Sequence, residues 1–327
     1  MNDFPKEATP VPSLVPLVDD FSDIGLPPAA AQPVAQTGAA DDFGTTANAT
    51  VEVGFWESRE LWADPILAAS VGGVLLAWLG FYVIFRRSAF VSAAISQLSG
   101  LGVVLALLLG APAEGSLLPL AAGVALGVLG TGLFALPRRS VRVTPDSLLA
   151  TTVVGASAVS LVAARYLTHD YQHVQAALYG DAVVASPSEL WLITGVAAVV
   201  LVVHLLFRDR FMLVSYDESG ARAQGMATRR WSWLLGLTVG LSIAVVTRCL
   251  GALPAFAFTV IPPAAALVLT NRYRTALGLA VVFALFSAVG GYYVSFVHNL
   301  PTGASMVAMC LACLVPGAVV SLIRRLR

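Results

Sequence analysis

The feature that most constrains this chain is a run of nine apolar stretches that begins after Asp64. Each has about 20 residues, the length at which a helix crosses the hydrocarbon core of a bilayer. Lipid offers no hydrogen-bond partners, so a segment there must pair its backbone groups internally, as a helix does. We predict nine transmembrane helices: Ile66–Phe85, Ala89–Leu109, Leu117–Leu136, Ser147–Leu167, Leu190–Phe207, Trp233–Leu250, Ala255–Thr270, Leu277–Val297 and Ala304–Ile323.

Composition supports a membrane protein and excludes an ordinary soluble domain. Hydrophobic residues make up 57% of the chain and charged residues 12%, whereas soluble domains carry about 25% charged residues. Three predicted helices start with a capping residue followed by proline, a typical helix-start signal. The three pairs are Asp64–Pro65, Thr144–Pro145 and Ser186–Pro187.

The N-terminal part differs from the rest in composition. Residues 1–54 are acidic and rich in Pro and Ala, without a sustained apolar period, which predicts a disordered tail. Residues 55–64 include Trp56 and Trp62 among acidic residues, which indicates a short interfacial helix or a structured linker. Residues 65–327 form the predicted transmembrane domain.

The distribution of basic residues predicts the orientation. Fifteen of the 19 lysines and arginines fall in alternate loops, which nine alternating helices bring to one face. By the positive-inside rule this face is cytoplasmic. We therefore predict an all-α integral membrane protein, a bundle of about nine transmembrane helices with its N-terminus outside and its C-terminus cytoplasmic.

Ionisable residues are nearly absent from the predicted spans. No carboxylate lies within them, and we interpret His204 and Arg248 as packed or snorkelling side chains. Secondary transport and intramembrane catalysis both need such groups within the membrane, so the sequence argues against both. Cys310 and Cys313, which form a C-x-x-C pair, are interpreted as helix-packing residues.

The longest loop of the arginine-rich face carries a helix signal. Ser215 and Glu218 fit a capping box, and Gly225 can end the helix that follows. A short helix lying parallel to the membrane can dock into a partner; a connector without a partner is the alternative.

Two further motifs suggest sites. Pro262 and Pro263 interrupt the seventh span, which indicates either a broken helix lining a polar cavity or a packing kink. His169 and His173 are four residues apart, a spacing that suits a zinc-like metal, with Asp170 or Asp181 as further ligands. A solvated loop is the alternative for these histidines.

Five blocks of sequence resemble the permease subunit of the ABC transporter family that imports zinc, manganese or iron. They are RRSAFVSAAISQLSGLGVVLALLLG from Arg86, LYGDAVVASPSEL from Leu178, SYDESGARAQGM from Ser215, TRCLGALPAFAFTVIPPAAALVLTNR from Thr247 and NLPTGASMV from Asn299. The resemblance covers residues 66–327 and leaves out the acidic tail.

The resemblance implies a multi-pass protein of the bacterial inner membrane that is not itself an enzyme. Its implied partners are a second copy of the chain, cytoplasmic ATPase subunits, an extracytoplasmic metal-binding protein and membrane lipid, but no nucleic acid. The chain has no phosphate-binding loop, and Lys6 is its sole lysine, so ATP hydrolysis falls to the partner. No bound cofactor is implied, and the transported species is a divalent metal ion.

Two groups of site residues follow from the resemblance. Ser215, Asp217, Glu218, Arg222 and Gly225 would form the helix that couples to the ATPase. The translocation path would include Ser92, Ala93, Ser96, Gln97, Ser99, Pro262 and Pro263.

The second span departs from the family pattern. Ala93 and Gln97 stand where the family has an aspartate and a histidine that face the path. Three explanations are open: another substrate, passage without a fixed ligand, or use of His169 and His173. A scaffold or sensor that no longer transports metal is the alternative function.

Overall fold

The computed structural model describes residues 59–112, 117–132, 145–167 and 187–319, and all regular structure within these ranges is helical. The helices are α1 (Arg59–Phe85), α2 (Ala89–Leu108), α3 (Leu118–Gly130), α4 (Pro145–Ala164), α5 (Pro187–Leu206), α6 (Arg208–Tyr216), α7 (Glu218–Ala223), α8 (Thr228–Leu250), α9 (Ala252–Leu269), α10 (Tyr273–His298) and α11 (Thr302–Ala312). The predicted tail at residues 1–54 lies outside the described residues.

The described helices confirm the all-α membrane fold. Eight of them are long and apolar enough to cross a bilayer, the last one running from Thr302 to Val319. The third predicted span corresponds to the shorter apolar helix α3.

The proline signals located two helix starts correctly and one wrongly. Helices α4 and α5 begin at Pro145 and Pro187, as predicted. The start at Pro65 was wrong, because α1 already begins at Arg59 and Pro65 lies inside it. A proline near a helix start removes a single backbone hydrogen bond, and the helix continues through it. Residues 59–64 are therefore continuous with α1, while residues 55–58 lie outside the described part.

Helix α1 is the centre of the bundle. It packs against α5, α8, α9 and α10, and its Phe81 and Tyr82 side chains are fully buried. Its apolar window is 72% buried, whereas that of α5 is 17% buried. The exposed large side chains of α5 are apolar, Trp191 near its start and aliphatic residues further on, and they suit contact with lipid.

Three of the arginine-bearing loops meet at one end of the bundle. Phe85, at the end of α1, packs edge-to-face against Tyr216 at the end of α6 and lies close to Tyr273 at the start of α10. Arg86 donates a hydrogen bond to Ser232 near the start of α8, at 3.1 Å. We call this end the arginine end. The predicted grouping of arginine-bearing loops at one end is confirmed for these three loops. That this end lies on the cytoplasmic side of the membrane remains a prediction.

Candidate functional site

Helix α7 lies at the arginine end between α6 and α8, and its cap differs from the predicted one. Asp217 is the N-cap residue, and its Oδ1 accepts from the Gly220 amide at 2.9 Å and from the Ser219 hydroxyl at 2.7 Å. The predicted capping box of Ser215 and Glu218 was therefore wrong. Ser215 falls in the last turn of α6, two residues before the N-cap position of α7 that Asp217 occupies.

The C-terminal end of α7 is as predicted. Gly225 adopts φ +76°, its amide donates to the Arg222 carbonyl at 3.0 Å, and the Met226 amide donates to Ala221 at 3.1 Å. This pair of bonds is the Schellman arrangement that ends helices at a left-handed residue, usually glycine. Both ends of α7 are thus fixed by local interactions.

The outer surface of α7 is short and polar. Ala221 is buried, whereas Asp217, Ser219 and Arg222 are exposed. Arg222 pairs with Glu218 one turn earlier, at 3.0 Å. The Gly220 amide and the Ser219 hydroxyl lower the pKa of Asp217, because both stabilise its ionised form. A surface of this kind suits a protein partner in water rather than insertion into lipid.

The serines of the predicted translocation path lie inside the protomer. Ser92, Ser96 and Ser99 are all fully buried in α2. Ser92 and Ser96 donate to carbonyls of their own helix, and Ser99 donates to the Ala244 carbonyl of α8 at 3.3 Å. In this conformation only the Ser99 hydroxyl joins two helices, and all three hydroxyls are buried within the protomer.

Gln97 has a different environment from the serines. Its side chain is half-buried, and Oε1 is shielded from solvent without a hydrogen-bond partner. Ala93, one turn earlier, is 7% exposed and presents a methyl group alone. Of the two altered positions, only Gln97 therefore has a side-chain oxygen that can accept a hydrogen bond or bind a cation.

The proline pair of the seventh span lies in α9, which runs unbroken from Ala252 to Leu269. Pro262 and Pro263 are buried and supply no amide to the carbonyls one turn earlier. The Thr259 carbonyl instead lies against Gly80 of α1, where an added methyl group would collide with it. Sequence reasoning missed Gly80; the available signal was a small residue within an apolar span.

The remaining sequence candidates fall into two groups. His169, Asp170, His173 and Asp181 lie outside the described residues. Within the described ranges, no three His, Cys, Asp or Glu side chains come close enough to hold a metal ion. Cys310 and Cys313 are buried free thiols in the packed helix α11 and its continuation.

The two ionisable residues singled out within the spans both have partners. His204 is fully buried and lies 2.9 Å from the Thr238 hydroxyl. Arg248 pairs with Glu189 at 3.5 Å, joining the end of α8 to the first turn of α5. The packed interpretation of His204 was correct.

Comparisons with known proteins agree with this architecture. The ABC 3 transport family matches residues 58–321. The manganese transport system membrane protein MntC of Halalkalibacterium halodurans is 28% identical over 75% of this chain and 82% of its own length. The chelated iron transport system membrane protein YfeD of Yersinia pestis is 27% identical over 74% of this chain and 79% of its own length.

Solved structures show the same fold. PsaBC from Streptococcus pneumoniae, determined in complex with Fab, superposes with a TM-score of 0.68 and 19% identity. The match covers 79% of this chain and 90% of the PsaBC chain. Apolar helices, fold and family match together identify a multi-pass protein of the bacterial inner membrane. The chain belongs to the ABC 3 transport family.

Proposed function

We propose that the chain is the permease subunit of an ATP-driven importer for a divalent metal ion. Two copies form the translocation path between them, and a separate ATPase binds each copy at the arginine end. An extracytoplasmic metal-binding protein delivers the ion. Alternating access is driven by closure of the ATPase subunits.

The observation that carries this proposal is the geometry of α7. It is a six-residue helix capped at both ends, with a polar outer surface and a buried Ala221 that anchors it to the bundle. Such an element can transmit force as a rigid body, because its ends do not fray. Ser215, Asp217, Glu218, Arg222 and Gly225 belong to this coupling region, with Ser215 behind the helix rather than in it.

The side chains of α2 favour a transported metal ion that is bound only weakly. A neutral amide oxygen at Gln97 is a hard ligand that suits Mn²⁺ better than softer metals. Relatives named for manganese and chelated iron transport support a divalent metal as substrate. Because Ala93 supplies no ligand, Gln97 would assist passage without binding the ion tightly. His169, His173, Asp170 and Asp181 remain candidates for an outer metal site.

A pull-down followed by transport tests the proposal. The tagged chain is purified in mild detergent, and co-purifying proteins are identified by mass spectrometry. The recovered assembly is then reconstituted with ATP, and uptake of Mn²⁺, Zn²⁺ and Fe²⁺ is measured. Ala223→Trp, at an exposed position of α7, should abolish ATPase retention, whereas Ala223→Ser at the same position should preserve it.

The outcomes separate the two candidate functions. An ATPase that co-purifies and supports metal uptake establishes the permease. Recovery of the chain without any ATPase in several detergents would favour the scaffold or sensor, to which the altered residues Ala93 and Gln97 point. Assembly without uptake of any of the three metals would overturn the substrate alone.

A further inference from the structure

A pocket lies where the end of α1 meets the elbow between α6 and α7. Its volume is about 580 Å³, and Phe85 and Val214 contribute to its apolar wall. Its polar lining comes from Arg86 and Arg87 after α1, Ser215 at the end of α6 and Glu218 at the start of α7. The pocket therefore joins the central helix of the bundle to the proposed coupling helix.

The charges that face the pocket favour an anion. Arg86 is 8% exposed, so its guanidinium is a nearly buried cation, and it also donates to Ser232. Arg87 is exposed and adds a second positive charge. Glu218 opposes them, but its carboxylate already pairs with Arg222 at 3.0 Å. Arg87 adds a positive charge beside a carboxylate that is already occupied, which leaves a net attraction for a further negative group.

A buried hydroxyl in the same pocket also lacks a partner. Ser215 is 5% exposed, and its Oγ makes no hydrogen bond to the described protein atoms. A buried polar group normally has a partner, and one without it calls for an explanation. An anionic group entering the pocket would accept a hydrogen bond from this hydroxyl.

Arg87 is held in a backbone conformation that arginine rarely adopts. It has φ +53°, and the amides of Arg87 and Ser88 donate to Ile84 and Val83, which ends α1 in a Schellman turn. In the described chain the corresponding left-handed positions after α2, α7 and α10 are Gly110, Gly225 and Asn299. Glycine and asparagine tolerate this conformation, whereas arginine pays a conformational cost in it. A strained residue at a charged pocket indicates that its side chain has a role.

The surroundings of the pocket identify the source of the anion. The outer surface of α7 has no large apolar side chain that could enter a bilayer, so its side of the pocket faces water, where a protein partner can reach it. No Asp or Glu follows Glu218 in the sequence, so no acidic side chain from that part of the chain can supply the anion.

We infer that this pocket receives an aspartate or glutamate side chain of the ATPase subunit, bound by Arg86, Arg87 and Ser215. The inference rests on the proposed function. It adds a second contact with the ATPase, besides the one that α7 makes. An anion bound there would tie the ATPase to α1 as well as to α7. Closure of the ATPase would then move the central helix directly.

A carbodiimide cross-link tests the contact, because the chain has a single native lysine, Lys6. In an Arg87→Lys variant, carbodiimide activates the partner's carboxyl group as an O-acylisourea. The new ε-amine attacks its carbonyl carbon, an amide forms, a proton is lost and the urea leaves. We expect one dominant cross-linked peptide that joins position 87 to an acidic residue of the ATPase. Arg229→Lys, at another exposed arginine of the same end, is the control and should give no such product.

Binding measurements with the full chain provide the second test. Arg87→Gly removes the charge and suits the left-handed backbone, so the variant should melt at the same temperature as the wild type or higher. It should nevertheless retain the ATPase about tenfold less well, as expected for one lost charge-assisted hydrogen bond. Arg229→Glu should change retention less than about twofold, as expected for an exposed charge outside the contact.

The outcomes distinguish this inference from the proposed function. If the wild type recovers no ATPase, the proposed function fails and this inference fails with it. If the ATPase is recovered equally by the wild type and Arg87→Gly, and position 87 yields no cross-link, this inference alone is overturned. Phospholipid that is retained by the wild type but lost from Arg87→Gly, without a protein cross-link, would overturn it in favour of a lipid phosphate.

Discussion

Nε2 of His204 on α5 lies 2.9 Å from Oγ1 of Thr238 on α8. The Thr238 hydroxyl donates its single hydrogen to the Leu235 carbonyl at 2.9 Å. With that hydrogen directed at Leu235, we assign His204 as the donor between them and the proton to Nε2. Nδ1 is then a buried acceptor, and it has no partner in the described protein. This bond links two helices beside the central helix.

Removal of the threonine hydroxyl should cost more than removal of the imidazole. Thr238→Val leaves both histidine nitrogens unpaired, and we expect it to destabilise the protein by about 1–3 kcal/mol. His204→Phe eliminates the unpaired acceptor, leaves Thr238 bonded to Leu235 and keeps the ring contacts, so its cost should be smaller. Thermal unfolding in detergent measures both, and Thr238→Ser is the control. Equal melting temperatures for Thr238→Val and the wild type would contradict the assigned bond.

The contact between Gly80 and the proline-containing helix α9 gives a second prediction. A methyl group at Gly80 would collide with the Thr259 carbonyl and with Pro263. Because backbone cannot move aside as a flexible side chain does, Gly80→Ala should destabilise the protein by about 1–3 kcal/mol.

Gly155 in α4 is the matched control for Gly80, since nothing lies within 4 Å of an added methyl group there. Gly155→Ala should leave the protein unchanged or stabilise it by up to about 1 kcal/mol, because alanine favours the helix. Both variants are compared by thermal unfolding. A Gly80→Ala variant as stable as Gly155→Ala would show that α1 and α9 are not in close contact.

The ion pair between Arg248 and Glu189 gives a third prediction. Their side chains are 30% and 19% exposed, so the pair is only partly screened by solvent. We expect a coupling energy of about 0.5–1 kcal/mol from a double-mutant cycle with Arg248→Gln and Glu189→Gln. The coupling should fall as salt is raised. A coupling of zero at low salt would contradict the pairing.

Much of the fold could be predicted from sequence, because about 20 consecutive apolar residues leave the chain few alternatives to a transmembrane helix. Helix ends were harder to predict, because neighbouring residues compete to cap the same helix. Ser215 and Asp217 are both good caps, and the difference was decided by the burial of Ser215 against the bundle. Burial is a tertiary property that local sequence does not carry.

The site was less predictable than the spans. The family resemblance places Ser99 on the translocation path, which remains a prediction, and in the structure its hydroxyl donates to the Ala244 carbonyl, 145 residues away in the chain. Its environment depends on how α2 and α8 pack, which no local pattern specifies. Arg86 and Arg87 belong to the arginines that predict the orientation and open the first family-like block, but neither pattern predicts the pocket, which forms only where α1 and α6 meet. Tests of Gln97 and of His169 and His173 need transport measurements.

Asp217 gives a prediction with a defined pH dependence. Its pKa is lowered because the ionised carboxylate accepts from the Gly220 amide and the Ser219 hydroxyl. The cap is therefore complete above the unfolded-state pKa of about 3.9 and is lost as pH falls through the lowered folded-state value. Hydrogen exchange at the Gly220 amide, corrected for intrinsic rates, should show protection at neutral pH that declines as the pH falls below the range in which a free aspartate titrates. Asp217→Asn, whose amide oxygen caps without titrating, should give a flat profile, and Asp217→Ala should lose protection at every pH. Protection of Gly220 in Asp217→Ala equal to that of the wild type would show that α7 is held by its partners in the bundle rather than by its cap.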